Sequence, residues 1–178
     1  MKRTCAFALL VLFAAPVFAV KKVTQAPQGF RAEFLRNLDE VQKKIIDLAN
    51  AVPADKYSWR PAEGVRSVSE VYMHIAGGNY FLPTFLGFKP PVDMPKDIEK
   101  IHDKPAVLAE LKKSFDHVRN VVNNTPDADL EKSVNIFGNA TTERGVFITM
   151  LEHLHEHLGQ SIAYARINGV VPPWSMKQ

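Results

Sequence analysis

Apolar residues recur every three or four positions from Gln28 to Ala51, at Phe30, Phe34, Leu38, Val41, Ile45 and Leu48. That period lays them on one stripe of an α-helix, and Pro53 sets its end. A second helix is predicted from Ser67 or Ser69, through Val71, Met73, His74 and Ile75, to Tyr80 or Leu82. Glu70 three residues after Ser67 is the spacing of a capping box. A third begins at Asp103 or Lys104, with Pro105 in its first turn, and carries Val107, Leu108, Leu111, Phe115, Val118 and Val122 to about Asn123. A fourth runs from Thr142 through Phe147, Met150, Leu151, Leu154, Leu158, Ile162 and Ala165 to Asn168, where Gly169 and then Pro172-Pro173 stop it.

The connectors carry information too. Tyr57 and Trp59 give the first one apolar anchors. Residues 83–104 are proline-rich and read as a long surface loop holding one helical turn. Residues 124–142 are turn-rich, and the weak alternation from Lys132 to Phe137 suggests a short hairpin strand. Gly77-Gly78 inside the second helix costs about 1 kcal/mol per glycine relative to alanine. The gain expected in return is close approach of a neighbouring helix or a ligand to the backbone. Four amphipathic helices in one domain predict an all-α four-helix bundle with long connecting loops. A glycine-rich phosphate loop and a strand–turn–helix dinucleotide pattern are both missing.

Residues 1–19 read as a secretory signal. Lys2 and Arg3 precede an apolar run from Ala6 to Ala15, and Val17-Phe18-Ala19 offers small residues where a signal peptidase cuts. The run is shorter than the roughly 20 residues that span a bilayer. The expected division is a signal peptide over 1–19, a lead over 20–27, one domain over 28–174 and a tail over 175–178. The expected location is therefore the periplasm or the exterior, with no membrane attachment after cleavage. Cleavage removes two of the 22 basic residues and none of the 19 acidic ones, leaving the rest near neutral. That balance gives no basic stripe for nucleic acid. The single cysteine, Cys5, lies in the signal, so neither a disulfide nor a cysteine nucleophile is expected in the exported chain.

Three of the six histidines, His153, His155 and His157, fall within five residues of the fourth helix. At about 100° per residue, His153, His157 and Gln160 share a face and His155 points away. Imidazoles one turn apart can chelate one ion; the competing reading is two polar residues on an exposed face. A pair needs a third ligand, and His74 is the candidate, although a lone histidine in an apolar helix is more often a core residue held by a hydrogen bond. Glu70, Glu152 and Glu156 are the spare carboxylates, with Glu70 favoured as the helix cap. His102 and His117 read as structural, His117 on the polar side of its helix.

The string VRSVSEVYMHIAGGNYFL, preceded by VPADKYSWRPAEG, and the string HLHEHLGQ, with AYARINGVVPPWS close behind, resemble the DinB-like (DinB/YfiT-like) superfamily of four-helix bundles. The resemblance covers roughly Gln28 to Trp174. It implies a divalent metal held by His74, His153 and His157, with Gly159-Gln160 following as in the family. Leu158 and Glu156 depart from the residues many members carry there. Zinc is the first choice of ion, with nickel or iron as alternatives. Three imidazoles leave an open position, where a water is acidified toward a pKa of about 7 and a thiol becomes thiolate. The implied activities are metal-dependent hydrolysis or thiol transfer on a small molecule, with Gln160, Asn79 and Tyr80 as pocket residues. The alternative is a non-enzymatic exported binding or stress-related bundle with a structural or incidental metal. Homodimers are common in the family.

Overall fold

The computed structural model describes residues 26–175. The expected signal peptide, most of the lead and residues 176–178 lie outside the described residues.

Four helices carry the fold: α1 (Gly29–Ala51), α2 (Val68–Phe81), α3 (Lys104–Asn124) and α4 (Glu143–Ile167). A hairpin of β1 (Ser133–Ile136) and β2 (Asn139–Thr142) precedes α4, antiparallel with Ile136 opposite Asn139. The alternating stretch thus forms a strand as expected. Its partner, Asn139–Thr142, went unread because Asn-Ala-Thr-Thr shows no apolar alternation.

The helix ends follow local chemistry. Ser67 and Glu70 close a reciprocal capping box. Asp103 accepts from the Ala106 amide, and Thr142 accepts from the Gly145 amide. Gly169 ends α4 with a left-handed φ of 75°, a conformation that costs glycine no Cβ clash. The four caps therefore lie within a residue of where the sequence put them.

The principal helix contacts run α1 to α4, α4 to α2, α2 to α3 and α3 to α1. The connections from α1 to α2 and from α3 to α4 cross the bundle, whereas α2 and α3 pack side by side although the longest connector, residues 82–103, joins them. The stripes meet inside: Phe34, Leu38 and Ile45 of α1, Leu111, Phe115 and Val118 of α3, and Phe147 and Leu154 of α4 are buried. Helix α2 is not a one-faced surface helix. It touches α3, α4 and a 3-10 turn at Ile98–Lys100, so Val71, Tyr72, Met73, Ile75, Ala76, Asn79 and Tyr80 are all buried.

The connectors pack down. Tyr57 is buried, and its hydroxyl donates to the Ala49 carbonyl at 2.7 Å. Trp59 meets Tyr164 edge-on at 5.3 Å. Arg31, on the apolar side of α1, is 2% exposed and donates to both carboxylate oxygens of Asp127 at 2.6 and 2.9 Å and to the Val122 carbonyl at 3.3 Å. Those bonds pin the chain after α3 to the start of α1.

Candidate metal centre

Helices α2 and α4 touch along the face that carries His74 on one and His153 and His157 on the other. One ring nitrogen from each of the three lies within 4.8 Å of the other two. Ring centroids are 5.1 Å apart for His74 and His153, 4.7 Å for His74 and His157, and 4.6 Å for His153 and His157. This close approach depends on Gly78. A Cβ there would stand 2.3 Å from Cε1 of His153, so only a glycine lets that ring reach α2. Gly77 has Cγ2 of Ile98 at an ordinary 3.7 Å. The sequence's double glycine is thus explained at one position, by a side chain of the neighbouring helix.

Two of the rings are held by acceptors. Nδ1 of His74 donates to Oε1 of Glu99 at 2.9 Å. Glu99 sits on the 3-10 turn packed against α2 and is shared with Arg66 at 3.3 Å. Nδ1 of His157 donates to Oε1 of Gln160 at 2.9 Å, because the amide nitrogen of Gln160 donates to the Tyr164 hydroxyl at 3.0 Å. Both bonds put the proton on Nδ1 and leave Nε2 with its lone pair free, the form in which histidine ligates. The third ring is different: Nδ1 of His153 is buried without a hydrogen-bond partner among the described residues. A buried polar atom left unpaired costs about 1–3 kcal/mol, a cost that ligation of a cation relieves. Two oriented imidazoles and one orphaned one, clustered within ligand distance, fit a divalent ion.

Burial favours the neutral form of two of the rings. Burial lowers the pKa of His74, opposed by the bond to Glu99. Burial, then the neighbouring His157 and His74, push His153 down to about 4. Burial raises the Glu99 carboxyl, but the hydrogen bonds from His74 and Arg66 outweigh it and hold it below its usual range. At neutral pH the site is therefore lone pairs beside a carboxylate, a donor set for a cation.

His74 and His153 open onto a cleft of about 550 Å³ lined also by Gly77, Phe81, Leu82, Phe137, Thr149 and the carboxylates of Glu99, Glu152 and Glu156. Small-molecule sites occupy roughly 300–1,000 Å³.

Other residues fall elsewhere than their positions suggested. Gln160 orients His157 and does not line the cleft. Asn79 is buried and donates to Oγ of Ser114 at 3.0 Å, and the Tyr80 hydroxyl donates to Glu110 at 2.8 Å. Both face α3, because α2 is covered on that side as well. His155 is exposed, with Nδ1 2.8 Å from the Leu151 carbonyl. His102 pairs with Oγ of Ser69 at 3.0 Å. His117 is half-buried against Tyr80, with Nε2 enclosed and unpartnered, rather than on the polar side of α3. Glu70 is the cap, bonded also to Arg60. Glu99 was missed: it lies in a proline-rich loop with no helical register tying it to His74.

The sequence pattern of the DinB superfamily matches residues 37–161, a span holding all three histidines. The chain belongs to the DinB superfamily. Solved structures agree on the fold of this DinB-superfamily protein. A DinB-like protein from Bacillus cereus superposes with a TM-score of 0.71 at 16% identity, covering 80% of this chain and 95% of that one. A conserved protein from Enterococcus faecalis gives 0.66 at 13% identity, covering 79% and 98%. A DinB-like protein from Bacillus subtilis gives 0.58 at 21% identity, covering 80% and 92%. No curated protein sequence matches the chain.

Proposed function

We propose that this protein is an exported metal-dependent enzyme of the hydrolase kind, acting on a small molecule. The observation that carries the reading is the group of three histidines whose ligand atoms lie within 4.8 Å of one another, two of them tautomerically fixed by Glu99 and Gln160, at the side of a cleft. A divalent ion held there supplies Lewis acidity and an open coordination position. Zinc suits three imidazoles best, with nickel and iron next.

The chain's own residues do the rest. Glu99 and Gln160 fix two rings so that their free nitrogens face one point. Glu152 and Glu156, exposed carboxylates one turn apart on α4, share the cleft with the histidines, and one of them takes the proton from an attacking water. Phe81, Leu82 and Phe137 give the cleft its apolar lining. Hydrolysis is favoured over thiol transfer because these carboxylates supply a base and because thiol cosubstrates are kept mainly in the cytosol, away from an exported protein.

The test is elemental analysis of the purified protein beside the double variant His153→Ala/His157→Ala, followed by a screen of ester, amide and lactone substrates. About one metal per chain, lost in the variant, together with metal-dependent hydrolysis, is the expected result. Metal without turnover leaves a binding bundle, and no metal after incubation with zinc or nickel removes the metalloenzyme reading. N-terminal sequencing of the protein recovered from the exported fraction is expected to begin at Val20.

A further inference from the structure

The turn between β1 and β2 contains two residues, Phe137 and Gly138, with φ of 52° and 85°. Two positive φ values in a two-residue hairpin turn are the type I′ geometry, whose preferred sequence is Asn-Gly. Gly138 fits. Phe137 does not: a bulky residue at positive φ is a strained choice. Nor is its ring buried in compensation, being 66% exposed. It stacks on Phe81 at 6.1 Å and meets Phe85 edge-on at 5.4 Å, while Phe81 is itself 51% exposed. Phe81 and Phe137 both line the histidine cleft. The strained residue thus places an exposed aromatic face in the cleft that His74 and His153 line.

The charge of the cleft is one-sided. Its lining holds three carboxylates, Glu99, Glu152 and Glu156, and no lysine or arginine. Among the described residues, only Glu99 of the three is paired with a cation, Arg66. In the metal-free cleft an anionic ligand meets uncompensated like charge, whereas a cation gains from both the carboxylates and the aromatic faces.

We propose that Phe137 is a ligand-contacting, specificity-determining residue, and that the cleft takes a small amphipathic molecule with an aromatic or compact apolar body and no net negative charge. The apolar body lies against the joined faces of Phe81 and Phe137, and a neutral or cationic group faces the Glu152–Glu156 edge. This rests on the reading of the cleft as a small-molecule site, but not on the identity of the metal.

The experiment is a ligand-detected NMR titration with 2-phenylethylamine, 2-phenylethanol and phenylacetate. It uses the protein as purified and after dialysis against chelator, with metal content measured on the same samples. Chelated wild-type protein is expected to bind the amine and the alcohol saturably, and phenylacetate at least about tenfold more weakly. Phe137→Asn restores the preferred turn sequence, so its Tm is expected to be unchanged or higher while affinity for the amine and alcohol falls about tenfold. Glu152→Gln/Glu156→Gln is expected to narrow the gap to phenylacetate. The inference is overturned if no probe binds saturably or if phenylacetate binds most tightly to the chelated protein. It is also overturned if Phe137→Asn lowers Tm and leaves the affinities unchanged, which would make Phe137 a packing residue. Absence of metal with the probe order intact defeats the metalloenzyme reading alone.

Discussion

Gly78 on α2 and His153 on α4 occupy the same space to within one methyl group: a Cβ on the glycine would lie 2.3 Å from Cε1 and 2.8 Å from Nδ1 of the imidazole. The absent side chain sets how closely the two histidine-bearing helices approach.

Gly78→Ala is therefore expected to push the His153 ring aside, costing about 1–3 kcal/mol as overpacking does and sharply weakening zinc binding. Gly77→Ala next to it meets only an ordinary contact with Ile98. It should leave metal content intact and raise stability by about 0.5–1 kcal/mol, the usual penalty of a helical glycine. Paired thermal melts and zinc titrations check both. Equal behaviour of the two variants would contradict the steric account.

Glu99→Ala removes the acceptor that orients His74. Loss of such a partner typically costs 10–100-fold in metal affinity (order of magnitude), with little change in fold because the turn is on the surface. Glu99→Gln keeps an acceptor and should fall between. Competition titration with a chromogenic chelator gives the ranking.

Asp127 and Arg31 give a stability prediction away from the site. Asp127→Ala strands a buried guanidinium, leaving it only the Val122 carbonyl, and is expected to cost about 1–3 kcal/mol. Asp127→Asn, which still accepts, should cost less. The Arg31 bond holds the Asp127 carboxyl below its usual range, so its contribution is present above the ordinary carboxylate pKa and is lost as pH falls through the lower folded value. Chemical denaturation of wild type and Asp127→Asn from pH 7 to 3 should show the difference between them shrinking in acid.

His153 gives a second pH dependence of definite sign. Its folded pKa is pushed from 6.5 down to about 4, so between those values the unfolded chain takes up a proton that the fold refuses. Metal-free protein should then be unaffected above about pH 6.5 and lose stability as pH falls toward 4. His153→Asn should flatten that limb in melts of chelated protein. Zinc affinity should decline over the same acid window, since protons compete for the rings.

The sequence by itself determined the helices, their caps and the histidine pair of α4. Each of these is written locally: an apolar stripe at helical period, a Ser-x-x-Glu box, two imidazoles four residues apart. It also showed that Gly77-Gly78 marked a close approach. Local rules could not say which side of α2 is covered, because that depends on the order of helices around the bundle. Hence Asn79 and Tyr80, adjacent in sequence to the histidine turn, face α3 and leave the cleft. The partner of His74 was equally out of reach, since Glu99 arrives 25 residues later in the chain on a turn whose place against α2 is fixed only by packing. Gln160 shared the face of His157 by simple helical arithmetic, but whether it touched a ligand or the ring depended on Tyr164 claiming its amide nitrogen. Periodicity and spacing reach about one helical turn; orientation of a ligand ring, burial of its nitrogen and the shape of a cleft are set by contacts between segments far apart in sequence, and only the tertiary structure decides those.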